Sequence, residues 1–212
     1  MKFKLLLAAV MVAALAAGFW FAQQQRAGAV AEPDTDAVIL VQPRDPGTFR
    51  LVDHRGDAFT PAEVTGQWTL WFFGFTHCPD VCPMTLTTLN LVDRALADAG
   101  AVRPQVVMVS VDPARDSPEK LAEYVPYFNE AFVGVTGDAG QIRELTERVG
   151  ILVRYIAQDD DAYTVDHGAA LLLTGPDGNV RALFQAPHDP HRLARDLAEL
   201  IPWFERKDEA GT

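Results

Sequence analysis

Cysteine is nearly absent: the 212 residues hold two, Cys78 and Cys82. Structural zinc wants four protein ligands, so a chain this poor in cysteine supports it badly. Basic charge is also scarce. Lys and Arg number 18 against 29 Asp and Glu, a formal net charge of −11. Residues 1–26 contain Lys2, Lys4 and Arg26 and no acid, so the remainder carries 18 − 3 = 15 basic residues against 29 acidic ones, or −14. That sign disfavours a nucleic-acid partner. It suits a cationic partner or a metal ion, although most acidic surfaces are simply solvated. No internal repeat is visible. The 49% hydrophobic content supplies enough apolar surface for a core.

Charge is missing altogether from Leu5 to Gln25. The apolar part, Leu5–Ala22, has 18 residues, near the lower limit for a bilayer span. It exceeds a signal-peptide core of ~7–15 residues. Lys2 and Lys4 precede it, and Phe19, Trp20 and Phe21 stand at its far end, where aromatic rings prefer the interface. The expectation is a signal-anchor over residues 1–25, with the N-terminus cytoplasmic and the domain exported. Ala14-Leu15-Ala16 offers the alternative of a cleavage site. No cysteine lies near the segment, which excludes a lipid anchor through that residue. It is not an Arg/Ser-rich transit peptide, which favours a bacterial inner-membrane protein with its domain in the periplasm.

Residues 26–44 read as a linker, with a short strand at Ala37–Val41. The compact domain is expected over 45–205, followed by a polar tail, 206–212. Trp68–Phe75 has the continuous apolar character of a strand covered on both faces. Leu86, Leu89, Val92, Leu96 and Ala99 recur at helical spacing, and Gly100 fits the helix end. Val106–Val111 predicts a second buried strand. Ser117-Pro118 opens a further helix. A strand at Phe132–Val135 and a helix over Gly140–Gly150 follow. Val153–Ala157 and Gly168–Thr174 read as strands, Pro176–Asn179 as a turn, and Val180–Gln185 as the returning strand. A last helix covers Pro190–Phe204. Strands alternating with helices predict an α/β fold, a central sheet flanked by helices. A cysteine pair at a helix N-terminus after the first core strand is similar to thioredoxin-like proteins. Helix N-terminal N–H groups favour thiolate there.

Cys78 and Cys82 stand at i and i+4. On a regular helix their β-carbons would lie ~5–6 Å apart on one face. Pro79 and Pro83 make the intervening segment a turn entering a helix, so a disulfide, a dithiol cycle and a shared soft metal all stay open. A permanent bridge would close too small a loop to restrict the unfolded chain much. Five histidines are available as a third ligand: His54, His77, His167, His188 and His191. His54 sits in a turn. His188 and His191 flank a helix start. His77 adjoins Cys78 but points away along an extended chain. His167 opens an apolar strand. Spacing alone brings none of them to the cysteines.

Phe73-Gly74-Phe75-Thr76-His77-Cys78-Pro79-Asp80-Val81-Cys82-Pro83 resembles the signature of the Sco/SenC family of copper proteins. Ser110-Val111-Asp112-Pro113-Ala114-Arg115-Asp116-Ser117-Pro118 is similar to the family's second block. Val165-Asp166-His167, with the later Gly175-Pro176-Asp177-Gly178, is similar to its third. The blocks run in family order across about residues 45–205. One departure is Gly168, where the family commonly has Ser or Thr; a hydroxyl that could support His167 is absent, and Asp166 is more readily a turn residue than its replacement. The resemblance implies a thioredoxin-like fold with an inserted β-hairpin carrying His167 to the cysteines. It implies one copper bound by Cys78, Cys82 and His167. It also implies assembly of the copper-A centre of cytochrome c oxidase, with subunit II as partner and other copper chaperones alongside.

A copper chaperone, not a turnover enzyme, is therefore the leading expectation. The alternative is a thiol–disulfide oxidoreductase that keeps the copper-A cysteines reduced, for which Cys78 and Cys82 suffice as the redox pair. A peroxidase is a third option that the proline-flanked pair does not favour.

Overall fold

The computed structural model describes residues 11–20, 31–157 and 163–211. Residues 35–198 form one compact unit. In chain order the elements are β1 (Val38–Arg44), β2 (Leu51–Asp53), β3 (Ala58–Phe59), β4 (Thr69–Gly74), α1 (Val81–Asp98), β5 (Gln105–Ser110) and α2 (Pro118–Phe128). There follow β6 (Val133–Thr136), α3 (Ala139–Val149), β7 (Val153–Ala157), β8 (Tyr163–His167), β9 (Leu171–Thr174), β10 (Val180–Phe184) and α4 (Pro190–Gly211).

Eight strands make one sheet in the order β1-β10-β9-β4-β5-β6-β2-β3. Its centre, β4-β5-β6, is parallel, as strand–helix–strand crossovers require. Every residue of β4 is buried, which explains why its sequence runs apolar instead of alternating. β7 and β8 pair only with each other, as an antiparallel hairpin inserted between α3 and β9. The α/β thioredoxin-like sheet with an added hairpin is thus the architecture that forms.

Local signals act where expected. The Ser117 hydroxyl accepts from the Lys120 amide at 3.3 Å, with Pro118 in the first turn of α2. Gly100, at φ 63°, turns the chain out of α1 while the Ala101 amide donates to Leu96 O at 2.9 Å.

Three boundaries differ from expectation. The short strand expected at Ala37–Val41 forms as β1 and runs on to Arg44, pairing antiparallel with β10 and extending the sheet edge. β8 is the second strand of the hairpin that the resemblance implies, but the apolar pattern did not mark it: His167 ends β8, whereas it was expected to open the apolar strand, which starts at Leu171. Only Val165 of β8 is buried, too little for an apolar pattern. α4 runs on to Gly211 through the expected polar tail. Residues 11–20 are helical. Among the described residues no helix is long and apolar enough to cross a membrane, and the rest of the expected anchor, Leu5–Val10 and Phe21–Ala22, lies outside them.

Candidate functional site

Gly74 pairs with Ser110 in the parallel ladder, so β4 and β5 end at the same level. The loops that leave them meet over that edge, where open α/β sheets form their sites. The first loop carries Cys78 and runs into α1, whose first turn holds Cys82. The second carries Asp112, Arg115 and Asp116.

Asp116 binds the two loops together. It is fully buried and accepts from the Thr76 amide at 2.9 Å, the Thr76 hydroxyl at 2.6 Å and the Ser110 hydroxyl at 2.7 Å. Charge-assisted bonds of this kind are stronger than neutral ones. His77 Nδ1 stands 3.8 Å from the same carboxylate, and the imidazole is part exposed.

Cys78 is half-buried and Cys82 fully buried, and both are free thiols. The Cys82 amide donates to Cys78 Sγ at 3.4 Å. On the other side, Cys82 Sγ lies 3.9 Å from His167 Nε2. The β7–β8 hairpin therefore brings His167 to the cysteine pair across 85 residues of sequence. Among the described residues no three His, Cys, Asp or Glu side chains are already gathered around a metal position. The contacts run as a chain instead, with Cys82 between Cys78 and His167.

The backbone fixes the tautomer of His167. Its Nδ1 stands 3.1 Å from Gly168 O, and a carbonyl only accepts, so Nδ1 carries the proton and Nε2 presents its lone pair to the sulfur. The backbone thus does what a hydroxyl at position 168 would otherwise do. Burial holds the imidazole below its ordinary pKa, partly offset by the Gly168 carbonyl and Asp166. The Phe75 ring meets the imidazole edge-on at 5.8 Å.

Cys82 departs from the thiolate expected at a helix start. Burial pushes its thiol up, Cys78 adds to this, and a backbone hydrogen bond from Phe75 opposes it. Desolvation outweighs the helix N-terminus here because the sulfur has no exposed surface. His54 lies in a turn, as expected; it is half-buried and its Nδ1 accepts from the Gly134 amide at 3.1 Å. His188 Nε2 is 2.9 Å from Ala169 O. Neither joins the cysteines. Two sulfurs and one imidazole nitrogen make a donor set that fits a soft metal ion.

The sheet order, the inserted hairpin and the paired thiols define a thioredoxin-like protein whose dithiol faces a histidine. The SCO1/SenC family model matches residues 41–202. The chain belongs to that family. It is 39% identical over 157 residues to human "Protein SCO2 homolog, mitochondrial", covering 73% of this chain and 58% of that protein. The chain thus spans less than two thirds of that relative. Two solved structures with copper bound are also similar. Bradyrhizobium japonicum ScoI is 35% identical with a TM-score of 0.65, covering 72% of this chain and 97% of that one. Arabidopsis thaliana ScoI is 29% identical with a TM-score of 0.69, covering 76% and 98%.

Proposed function

We propose that the chain is a copper chaperone of cytochrome c oxidase assembly, with Cys78, Cys82 and His167 as its copper ligands. The observation that carries this is the meeting of His167 Nε2 with Cys82 Sγ at 3.9 Å, beside the second thiol, in a family whose solved relatives hold copper. Thiolates select Cu(I), and imidazole accommodates Cu(I) and Cu(II). Cys82 gives up its proton on ligation, so uptake releases protons. Gly168 O keeps Nε2 unprotonated and aimed.

Copper is cargo here, and three ligands from two loops leave one side open for a partner. Val81 and Met84, exposed at 51% and 68% in the first turn of α1, offer that partner an apolar rim. The acceptor is the copper-A site of oxidase subunit II, and other copper chaperones act as donors. Leu5–Ala22 anchors the domain in the bacterial inner membrane, facing the periplasm, and the protein is not a turnover enzyme. Alkaline washing of membranes tests the anchor: a released protein starting after residue 16 would refute it.

A second reading, reduction of the copper-A cysteines, draws on the two free thiols, of which Cys78 Sγ accepts from the Cys82 backbone amide at 3.4 Å. His167→Ala separates the two. Copper holding predicts weaker binding or an altered spectrum, with thiol–disulfide exchange within about tenfold of wild type. It also predicts low oxidase activity that added copper partly restores. Wild-type oxidase assembly by His167→Ala at limiting copper would overturn delivery and favour the reductase. Cys78→Ser and Cys82→Ser should each abolish stable copper binding.

A further inference from the structure

The second sequence block, Ser110–Pro118, has no ligand in it, yet its arginine is built into the arm that carries His167. The Asp112 carboxylate is fully buried and both its oxygens are engaged. Oδ2 accepts from Arg115 Nε, and Oδ1 accepts from the Tyr163 hydroxyl at 2.6 Å. Arg115 Nη1 donates to the Tyr163 carbonyl at 3.1 Å. The guanidinium carbon lies 4.0 Å from the centre of the Tyr163 ring and 5.9 Å from that of Phe75. Arg115 is thus sandwiched between the first residue of β8 and the aromatic ring that touches His167.

Register makes this consequential. Side chains alternate along a strand, so Tyr163, Val165 and His167 share one face of β8. A slip by one residue would turn His167 to the opposite face. Among the described residues little else fixes the arm. β7 and β8 share no ladder with the main sheet, and Val165 is their one fully buried residue. A cavity of about 1020 Å³ lies against the arm, lined in part by Asp112, Ile142, Leu152, Tyr155 and Tyr163. Besides the Arg115 contacts, the arm is tied down by the Tyr155 hydroxyl, which donates to Val111 O at 2.6 Å. Among the described residues, Arg115 Nη2 is buried without a hydrogen-bond partner, so the guanidinium is held here at a desolvation cost.

We propose that Arg115 is a positioning residue: with Asp112 and Tyr163 it forms a clamp that fixes the register of β8 and holds His167 against the cysteine pair. The clamp rests on His167 being the third ligand, but it is itself a property of the metal-free protein. Arg115→Lys keeps the charge and loses the planar fork. Tyr163→Phe keeps the ring and loses the bond to Asp112, and serves if the lysine variant does not fold.

The test uses the full-length protein. Without metal, backbone amides of β7 and β8 should exchange at least tenfold faster in either variant, while those of β5 keep their wild-type rates. With copper(II) ions as probe, the variants should bind about tenfold more weakly and lose the nitrogen hyperfine signature of His167, with both thiolates retained. Unchanged hairpin exchange overturns the clamp, and so does faster exchange that leaves the copper spectrum as in wild type. A wild-type protein that takes up no copper, or shows no nitrogen signal, refutes the ligand set instead, and the exchange rates then still decide the clamp.

Discussion

Gly74 and Cys82 are packed together so closely that a Cβ added at Gly74 would stand 3.1 Å from the Cys82 sulfur. The same carbon would come within 2.7–2.8 Å of the Phe72 ring. The last residue of β4 therefore leaves room for the sulfur at the start of α1. Gly74→Ala should destabilise the protein by about 1–3 kcal/mol through overpacking and shift the Cys82 thiol. Urea unfolding and the rate of thiol modification would measure both. An alanine variant with wild-type stability would contradict the close packing.

The two cysteines should differ sharply in reactivity. Cys78 is half-exposed, whereas Cys82 has no exposed surface and a thiol pushed up by burial. Thiolate is the reactive form, so at neutral pH iodoacetamide should label Cys78 at least about tenfold faster. Peptide mass spectrometry over a time course reads this, and equal rates would contradict the buried position of Cys82.

Asp116→Ala should cost more than about 2 kcal/mol, since it strands three donors in a buried site at roughly 1–3 kcal/mol each. Asp116→Asn, which keeps an acceptor oxygen, should cost less. Denaturant midpoints at neutral pH make the comparison.

Acid should remove a contribution from Asp53. Burial alone would raise this carboxyl, but the Asp57 and Arg55 amides and the Arg55 guanidinium outweigh it and hold it below its ordinary value. Between those two values the unfolded chain binds more protons than the folded one. Stability from this group is therefore complete above the ordinary value and is lost as pH falls through the native one. The stability gap between wild type and Asp53→Asn should narrow between pH 7 and pH 3.

Much of this was legible in the chain. β4 and β5 showed as apolar runs, Ser117 and Gly100 marked helix ends, and the cysteine block stood out from its residues alone. His167 could not be tied to the cysteines by spacing, because the hairpin that carries it has almost no buried face to leave a pattern. Without the family resemblance it was one histidine of five. The thiolate expected at a helix start failed for Cys82 because burial is set by the whole fold. Asp112, Arg115 and Asp116 sat in a block that the sequence reading singled out and gave no chemistry. Their partners Tyr163 and Thr76 become visible only when distant loops meet.

The hairpin's separate ladder has a consequence for how the family can diversify. Substitutions at Arg154, Ile156 or Asp166 alter a surface beside the site without entering the hydrogen-bond pattern of the eight-stranded sheet. Tyr155, Tyr163, Val165 and His167, on the inward face, are the residues tied to the rest. The surface that the arm presents beside the site can therefore be altered without breaking the ladder that holds the domain together.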